Sequence, residues 1–184
     1  MPTPTLPDYL REGLDIVFCG INPGWRSALE GHYFATPRNR FWAAFNAAKM
    51  APRALGPATD AEALRYGIGF TDVVKRATRQ MAELSAADFR EGAPLLRERL
   101  LRCRPRVVCF NGLSGYKYFL RYTDPDALAP ALGLQAGKLG RSQVYVLPST
   151  SPANAAVSLE TIVEHMRAVR ALADALRKAD VSRK

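Results

Sequence analysis

The run Val107-Val108-Cys109-Phe110 carries no polar residue at alternate positions, and Ile16-Val17-Phe18-Cys19 shares that property. A strand with one face in water alternates apolar and polar side chains. A strand without alternation must be covered on both faces, which is the habit of a parallel sheet packed between layers of helices. Gly67 to Val74 and Gln143 to Leu147 also carry β-branched or aromatic residues, and together with Arg106 to Asn111 and the segment after Asp15 they read as four strands. The stretches between them have helical period. From Ser158 to Arg177, the residues Ile162, Met166, Val169, Ala173 and Leu176 recur at spacings of four and three, with Ser158 placed to cap the first turn. Ser85 and Asp88 form a capping-box pattern that opens a helix reaching about Cys103, with Pro94 early in it. Phe41, Trp42 and Phe45 share one face of a helix beginning near Arg38, Asp60 to Tyr66 reads as a short helix, and Gly133 to Arg141 reads as a loop. Strands alternating with helices predict an α/β fold: a three-layer α/β/α domain with a mostly parallel sheet of about four strands.

A chain of 184 residues, 48% of them hydrophobic, suits one domain with a full core, and short tails are expected at about 1–10 and 179–184. No apolar run is long enough to span a bilayer, and Met-Pro-Thr-Pro-Thr-Leu-Pro lacks the order of a signal peptide, so a cytoplasmic protein without membrane contact is expected. Cys19, Cys103 and Cys109 lie in or beside apolar segments without metal-ligand spacing, and His32 and His165 have no partner nearby in sequence. Neither a metal nor a cofactor is expected. The net charge of +9 favours a polyanionic partner, although solubility alone would also account for it.

Sheets of this kind build their sites at the carboxyl ends of the strands. The residues there are Gly20 to Gly24, Thr71 and Asp72, Asn111 to Ser114, and Pro148 to Ser151. Asn22, held between Ile21 and the Pro23-Gly24 turn, has a carbonyl that can accept from a water and an NH₂ that can donate; an Asx-turn is the plainer reading. Asp72 takes a proton from such a water, or stabilises a cationic sugar in the transition state, or caps a helix formed by the residues after it. Tyr33 and Phe34 offer rings for stacking on a base, with Arg26, Arg38 and Arg40 interleaved for phosphates. Asp15 precedes its strand and belongs to the wrong end of the sheet. The small, hydroxyl-rich segment Pro148 to Asn154 and the Asn111-Gly112 turn are candidate phosphate contacts.

Gly20-Ile21-Asn22-Pro23-Gly24, Pro37-x-Asn39-x-Phe41-Trp42, Gly67-Ile68-Gly69-Phe70-Thr71 and Pro148-Ser149, in this order, resemble the mismatch-specific uracil and thymine DNA glycosylases, a branch of the uracil-DNA glycosylase superfamily. The resemblance runs from about Asp15 to Leu159 and takes in Phe89-Arg90-Glu91-Gly92 and Phe110-Asn111-Gly112. It implies a monofunctional, monomeric enzyme that flips uracil, or thymine, out of a G·U or G·T pair in double-stranded DNA and leaves an abasic site. By the same resemblance Asn22 positions the attacking water and Phe34 stacks on the base. Gly20, Ile21, Pro23, Tyr33 and Thr71 line the base pocket. Asn39, Arg40, Asn111 and Gly112 meet DNA, as does the loop of Ser149, Thr150, Ser151, Pro152, Ala153 and Asn154, which enters the vacated position. The sequence departs from the pattern in three places. Pro152, Ala153 and Asn154 stand where relatives carry a bulky Leu or Arg, Asp72 stands where they carry Asn or Lys, and Leu113 replaces a Lys seen in some of them. The missing wedge leaves a second reading, a protein that binds mismatched or abasic DNA without cleaving it. Hydrolysis of free nucleosides is a third.

Overall fold

The computed structural model describes residues 4–127 and 129–182. Its five strands are β1 (Ile16–Gly20), β2 (Ile68–Asp72), β3 (Val107–Asn111), β4 (Gly133–Leu139) and β5 (Ser142–Leu147). The helices are α1 (Trp25–Glu30), α2 (Phe41–Ala47), α3 (Ala86–Cys103), α4 (Leu113–Thr123) and α5 (Leu159–Val181), with a 3₁₀ segment at Pro57–Tyr66 and a single 3₁₀ turn at Met81–Glu83. Strand order is β2-β1-β3-β5-β4. The pairs β1–β2, β1–β3 and β3–β5 are parallel, as the unalternating runs require, and every residue of β1 and β2 is buried.

One core lies on each face of the sheet. Ile16, Phe18, Ile68, Phe70, Val107 and Cys109 face α2 and α5, where Phe41, Phe45, Ile162, Met166, Val169 and Ala173 meet them. Val17, Cys19, Val108, Phe110, Val144 and Val146 face α3 and α4, against Phe89, Leu96, Leu100, Tyr116 and Phe119. Ser158 caps α5 by accepting from the Thr161 N–H at 3.0 Å. Ser85 and Asp88 form the reciprocal box at α3, and Pro94 lies inside that helix without ending it. A side chain at Gly92 would collide with the Val73 carbonyl, so glycine there lets α3 close on the end of β2.

Three expectations are corrected. Gly133 to Leu139 is no loop but a fifth strand, antiparallel to β5, with a register shift between Leu134 and Lys138. An edge strand with a solvated face needs no apolar run, which is why its Gly- and Lys-containing sequence gave no strand signal. The expected tail up to about residue 10 is docked instead. Leu6 is buried, and Tyr9 exchanges two backbone hydrogen bonds with Phe70 at 2.9 and 3.1 Å, placing the segment on the outer edge of β2. At the other terminus α5 continues to Val181, into the segment expected as a tail. Among the described residues no helix is long and apolar enough to cross a membrane.

With β2 on one side of β1 and β3 on the other, the order in which the parallel strands are laid down switches sides at β1. The carboxyl end of β1 therefore opens into a crevice rather than under a connecting segment.

Candidate active site

A pocket of about 240 Å³ occupies that crevice. It lies below the usual range of about 300–1,000 Å³ for drug-sized ligands, a size for one flat ring rather than a whole nucleotide. Its wall is drawn from Leu6 of the N-terminal segment, Gly20 to Gly24 at the end of β1, Ser27 of α1 with Tyr33, Phe34, Thr36 and Asn39 beyond it, Asp72 at the end of β2 with Thr78 to Met81, Asn111 at the end of β3, and Ser149, Ser151 and Pro152 after β5.

Asn22 is not closing a simple Asx-turn. Its Nδ2 donates to the Arg76 carbonyl at 2.8 Å and to Thr78 Oγ1 at 2.8 Å, with a longer contact to the Pro23 carbonyl at 3.2 Å. A carbonyl only accepts, so Arg76 fixes which end of the amide is nitrogen. Among the described residues Asn22 Oδ1 has no hydrogen-bond partner and is not sealed from solvent, which leaves it on the pocket as an acceptor. The Arg76 segment is itself anchored. The guanidinium makes a two-point contact with Asp88 at 2.9 and 2.8 Å, and Asp88 also belongs to the capping box of α3. Arg76 and Thr78 had no signal in the sequence, lying 54 and 56 residues from the side chain they hold.

Asp72 ends β2 with 3% of its surface exposed and lines the same pocket as Asn22. Its carboxylate lies against Gly20, where an added Cβ would meet Oδ1 at 2.6 Å. Among the described residues its Oδ2 is buried without a hydrogen bond, and the Lys75 ammonium stands 3.5 Å away. Burial pushes its carboxyl up to about 6, against the opposing pull of Lys75. Asp72 caps no helix: the next helical turn begins at Met81.

Phe34 has one face stacked on Phe41, with ring centroids 3.8 Å apart at 12°, and also lines the pocket. Its backbone is left-handed, at φ 56°, and its N–H has no hydrogen-bond partner among the described residues. Such a conformation in a bulky residue costs roughly 1–3 kcal/mol and persists only where the surroundings enforce it. Asn39 accepts from the Phe41 N–H at 2.9 Å through Oδ1, which turns its NH₂ away from the helix. Tyr33 is the floor of the pocket, not a stacking platform: it is buried against Tyr9 and Phe70, and its hydroxyl donates to the Pro7 carbonyl at 2.9 Å.

Several residues expected at the pocket or on DNA have other duties. Thr71 points to the opposite face of the sheet and donates to Asp8 Oδ1 at 2.7 Å; adjacent strand residues cannot share a face. The Arg40 guanidinium, expected at phosphates, donates to the carbonyls of Val157, Asn154 (2.8 Å) and Ser151 (3.3 Å), bracing the loop from inside. Asn111 donates to Thr150 Oγ1 and accepts from the Thr150 N–H, so it pins the loop, while Thr150 is fully buried. The Gly112 N–H donates to the Leu147 carbonyl at 3.0 Å, and at its φ of 104° an added Cβ would stand 3.1 Å from Ser149 Cβ; neither feature makes a phosphate cradle. Asn154 donates to the Ser149 carbonyl at 3.0 Å, leaving Pro152 and Ala153 as the exposed tip.

A larger cavity, about 910 Å³, is elsewhere, at the amino ends of the strands, and is lined by Asp15, Lys49, Arg65, Arg170 and Arg177 among others. Asp15 is there as expected, paired with Arg106, Arg170 and Arg177. The histidines do have partners: His32 Nδ1 lies 3.3 Å from Asp60, and His165 Nδ1 lies 2.9 Å from the Tyr145 hydroxyl. The described residues hold no cluster of three or more potential metal ligands.

The solution NMR structure of a uracil DNA glycosylase candidate from Methanosarcina acetivorans has the same fold, with a TM-score of 0.61 at 23% identity, covering 94% of this chain and 99% of that one. A family model, the uracil DNA glycosylase superfamily, matches residues 7–173, from the docked N-terminal segment through most of α5. On that match the chain belongs to the uracil DNA glycosylase superfamily.

Proposed function

We propose that this protein is a monofunctional DNA glycosylase that removes uracil mispaired with guanine from double-stranded DNA, acting as a monomer without metal or cofactor. The observation that carries the reading is the fixed amide of Asn22, whose carbonyl is turned to a base-sized pocket that also holds a buried carboxylate. A base in a duplex is out of reach, and a mispaired one costs less to extrude. The flipped ring would slide over the free face of Phe34, with the Phe34 N–H and the Asn39 NH₂ as donors to its carbonyl oxygens.

Rupture of the bond between the base nitrogen and the anomeric carbon sends the electron pair into the ring, producing a uracil anion and a cationic sugar. Those donors stabilise the anion. A water accepted by Asn22 Oδ1 attacks the anomeric carbon and delivers its proton to the Asp72 carboxylate, which is ionised above about pH 6. The anion takes a proton from solvent, and the products are free uracil and an abasic site. The loop from Pro148 to Asn154, braced by Arg40 and Asn111, faces the duplex with Pro152 and Ala153 at its tip.

Duplexes with G·U, G·T and A·U pairs, and single-stranded uracil DNA, incubated with the protein and treated with alkali, provide the test. Strand scission favouring G·U is expected, with loss in Asn22→Ala. Tight binding to G·U without scission would instead establish a mismatch-binding protein, the reading that the small loop tip favours.

A further inference from the structure

Asp8 lines no part of the pocket, yet its carboxylate is held beside Lys75, which also faces Asp72. The docked N-terminal segment pairs with β2 through Tyr9 and Phe70, and a side chain at Gly69 would collide with the Tyr9 carbonyl, so the two backbones are in close contact. That pairing directs Asp8 across the edge of the sheet. Its Oδ1 accepts from Thr71 Oγ1 at 2.7 Å and from Lys75 Nζ at 2.8 Å, and its Oδ2 lies 3.2 Å from Arg99 Nε of α3.

Lys75 is thus one ammonium between two carboxylates, 2.8 Å from Asp8 and 3.5 Å from Asp72 Oδ2. The groups facing Asp72 are Lys75 from the loop after β2, Tyr33 from the segment after α1, Asp8 from the N-terminal segment and Cys19 from β1; Arg99 of α3 completes the cluster from behind Asp8. Lys75 is the cation paired with the Asp72 carboxylate, while Arg99 donates to the Asp72 backbone carbonyl at 3.4 Å, and of the two carboxylates Asp8 holds Lys75 the more closely.

We propose that Asp8 is a positioning residue for catalysis: by drawing the Lys75 ammonium to itself, it leaves Asp72 Oδ2 without a hydrogen bond and so keeps Asp72 basic enough to accept the proton of the attacking water. This rests on the reading of Asp72 as the proton acceptor. Without the Asp8 charge, two changes act in one direction. A like charge near Asp72 is lost, and Lys75 becomes free to close on Asp72. Both favour the ionised carboxylate, and an acceptor with lower proton affinity is a poorer base. The docking of residues 6–9 on β2 is therefore coupled to the chemistry at its other end.

The test is the pH dependence of single-turnover excision from a G·U duplex. Asp8→Asn keeps the acceptor for Thr71 but removes the charge. Its acid limb is expected to move down by about one pH unit, with a plateau roughly ten-fold lower and duplex affinity unchanged. Lys75→Met removes the cation, and its acid limb is expected to move up. A purely structural role would lower both plateaus without moving the limbs in opposite directions. Coincidence of the Asp8→Asn and wild-type limbs overturns the proposal, as does a Lys75→Met limb that stays or falls. Asp72→Asn separates the two readings: full activity there removes Asp72 from the mechanism, whereas loss of activity beside unmoved limbs in the other variants refutes Asp8 alone.

Discussion

Replacing Asp72 with Asn should destabilise the reaction and stabilise the protein, and the second effect can be sized. Burial raises this carboxyl from an ordinary 3.8 to about 6. For an acid raised in the folded state, the native form binds more protons than the unfolded chain between those two values. Its contribution to stability is fully present below about pH 4, is lost as pH rises to about 6, and is then constant. A displacement of about two units corresponds to a penalty on the order of 2–3 kcal/mol at neutral pH. Asn imitates the protonated acid at every pH. Denaturant melts of wild type and Asp72→Asn from pH 3.5 to 8 should therefore give a stability difference that grows in favour of the variant between about pH 4 and 6 and is flat above. Any constant offset from the amide itself drops out of that slope, as do all groups common to both proteins. A difference independent of pH would refute the premise that Asp72 is a destabilised carboxylate, whatever happened to activity.

Three further outcomes are expected. Asn22→Ala should lower the single-turnover rate by roughly 100- to 1,000-fold, by analogy with loss of one positioned polar group, while Thr78→Val, which leaves the Arg76 anchor, should lower it only about 3- to 10-fold; equal losses in both variants with intact folding would contradict the anchoring scheme. Arg40→Gln should weaken duplex binding through a loosened loop, with the salt dependence of binding unchanged, because its guanidinium is engaged by three carbonyls. A salt slope reduced by about one would place Arg40 on a phosphate after all. Gly20→Ala should mimic loss of Asp72 in rate, since its Cβ would lie 2.6 Å from Oδ1, about 0.8 Å inside the 3.4 Å where ordinary contact begins; retention of the full rate, read with Tm to exclude unfolding, would show that the carboxylate position is not needed.

The four parallel strands were legible because near-complete burial leaves a mark on almost every residue, as in Val107 to Phe110, whereas the solvated edge strand β4 carries no such mark; the helix caps were legible because Ser85 and Ser158 act within three residues of themselves. Asn22 was legible because a strand end and a Pro-Gly turn confine it locally. What orients it was not: Arg76 and Thr78 come from another strand's end, and no local pattern distinguishes them from ordinary loop residues. Arg40 failed for a related reason. A cation beside an aromatic motif has the same appearance in sequence whether it turns outward to phosphate or inward to carbonyls. Asp8 was hidden in what reads as a Pro-rich tail, because only the edge of β2 gives that segment a structure.

The two edges of the sheet are guarded by different means. Beyond β2 the backbone of Phe70 is already paired to Tyr9, and beyond β5 the edge belongs to β4, whose register shifts between Leu134 and Lys138 and whose exposed face carries a lysine. A flat, unpaired edge invites strand addition from another molecule, with aggregation as the result. The bridge between Tyr9 and Phe70 blocks that route beyond β2, so an N-terminal truncation past Tyr9 should uncover an edge and be the first change to make copies of this protein adhere.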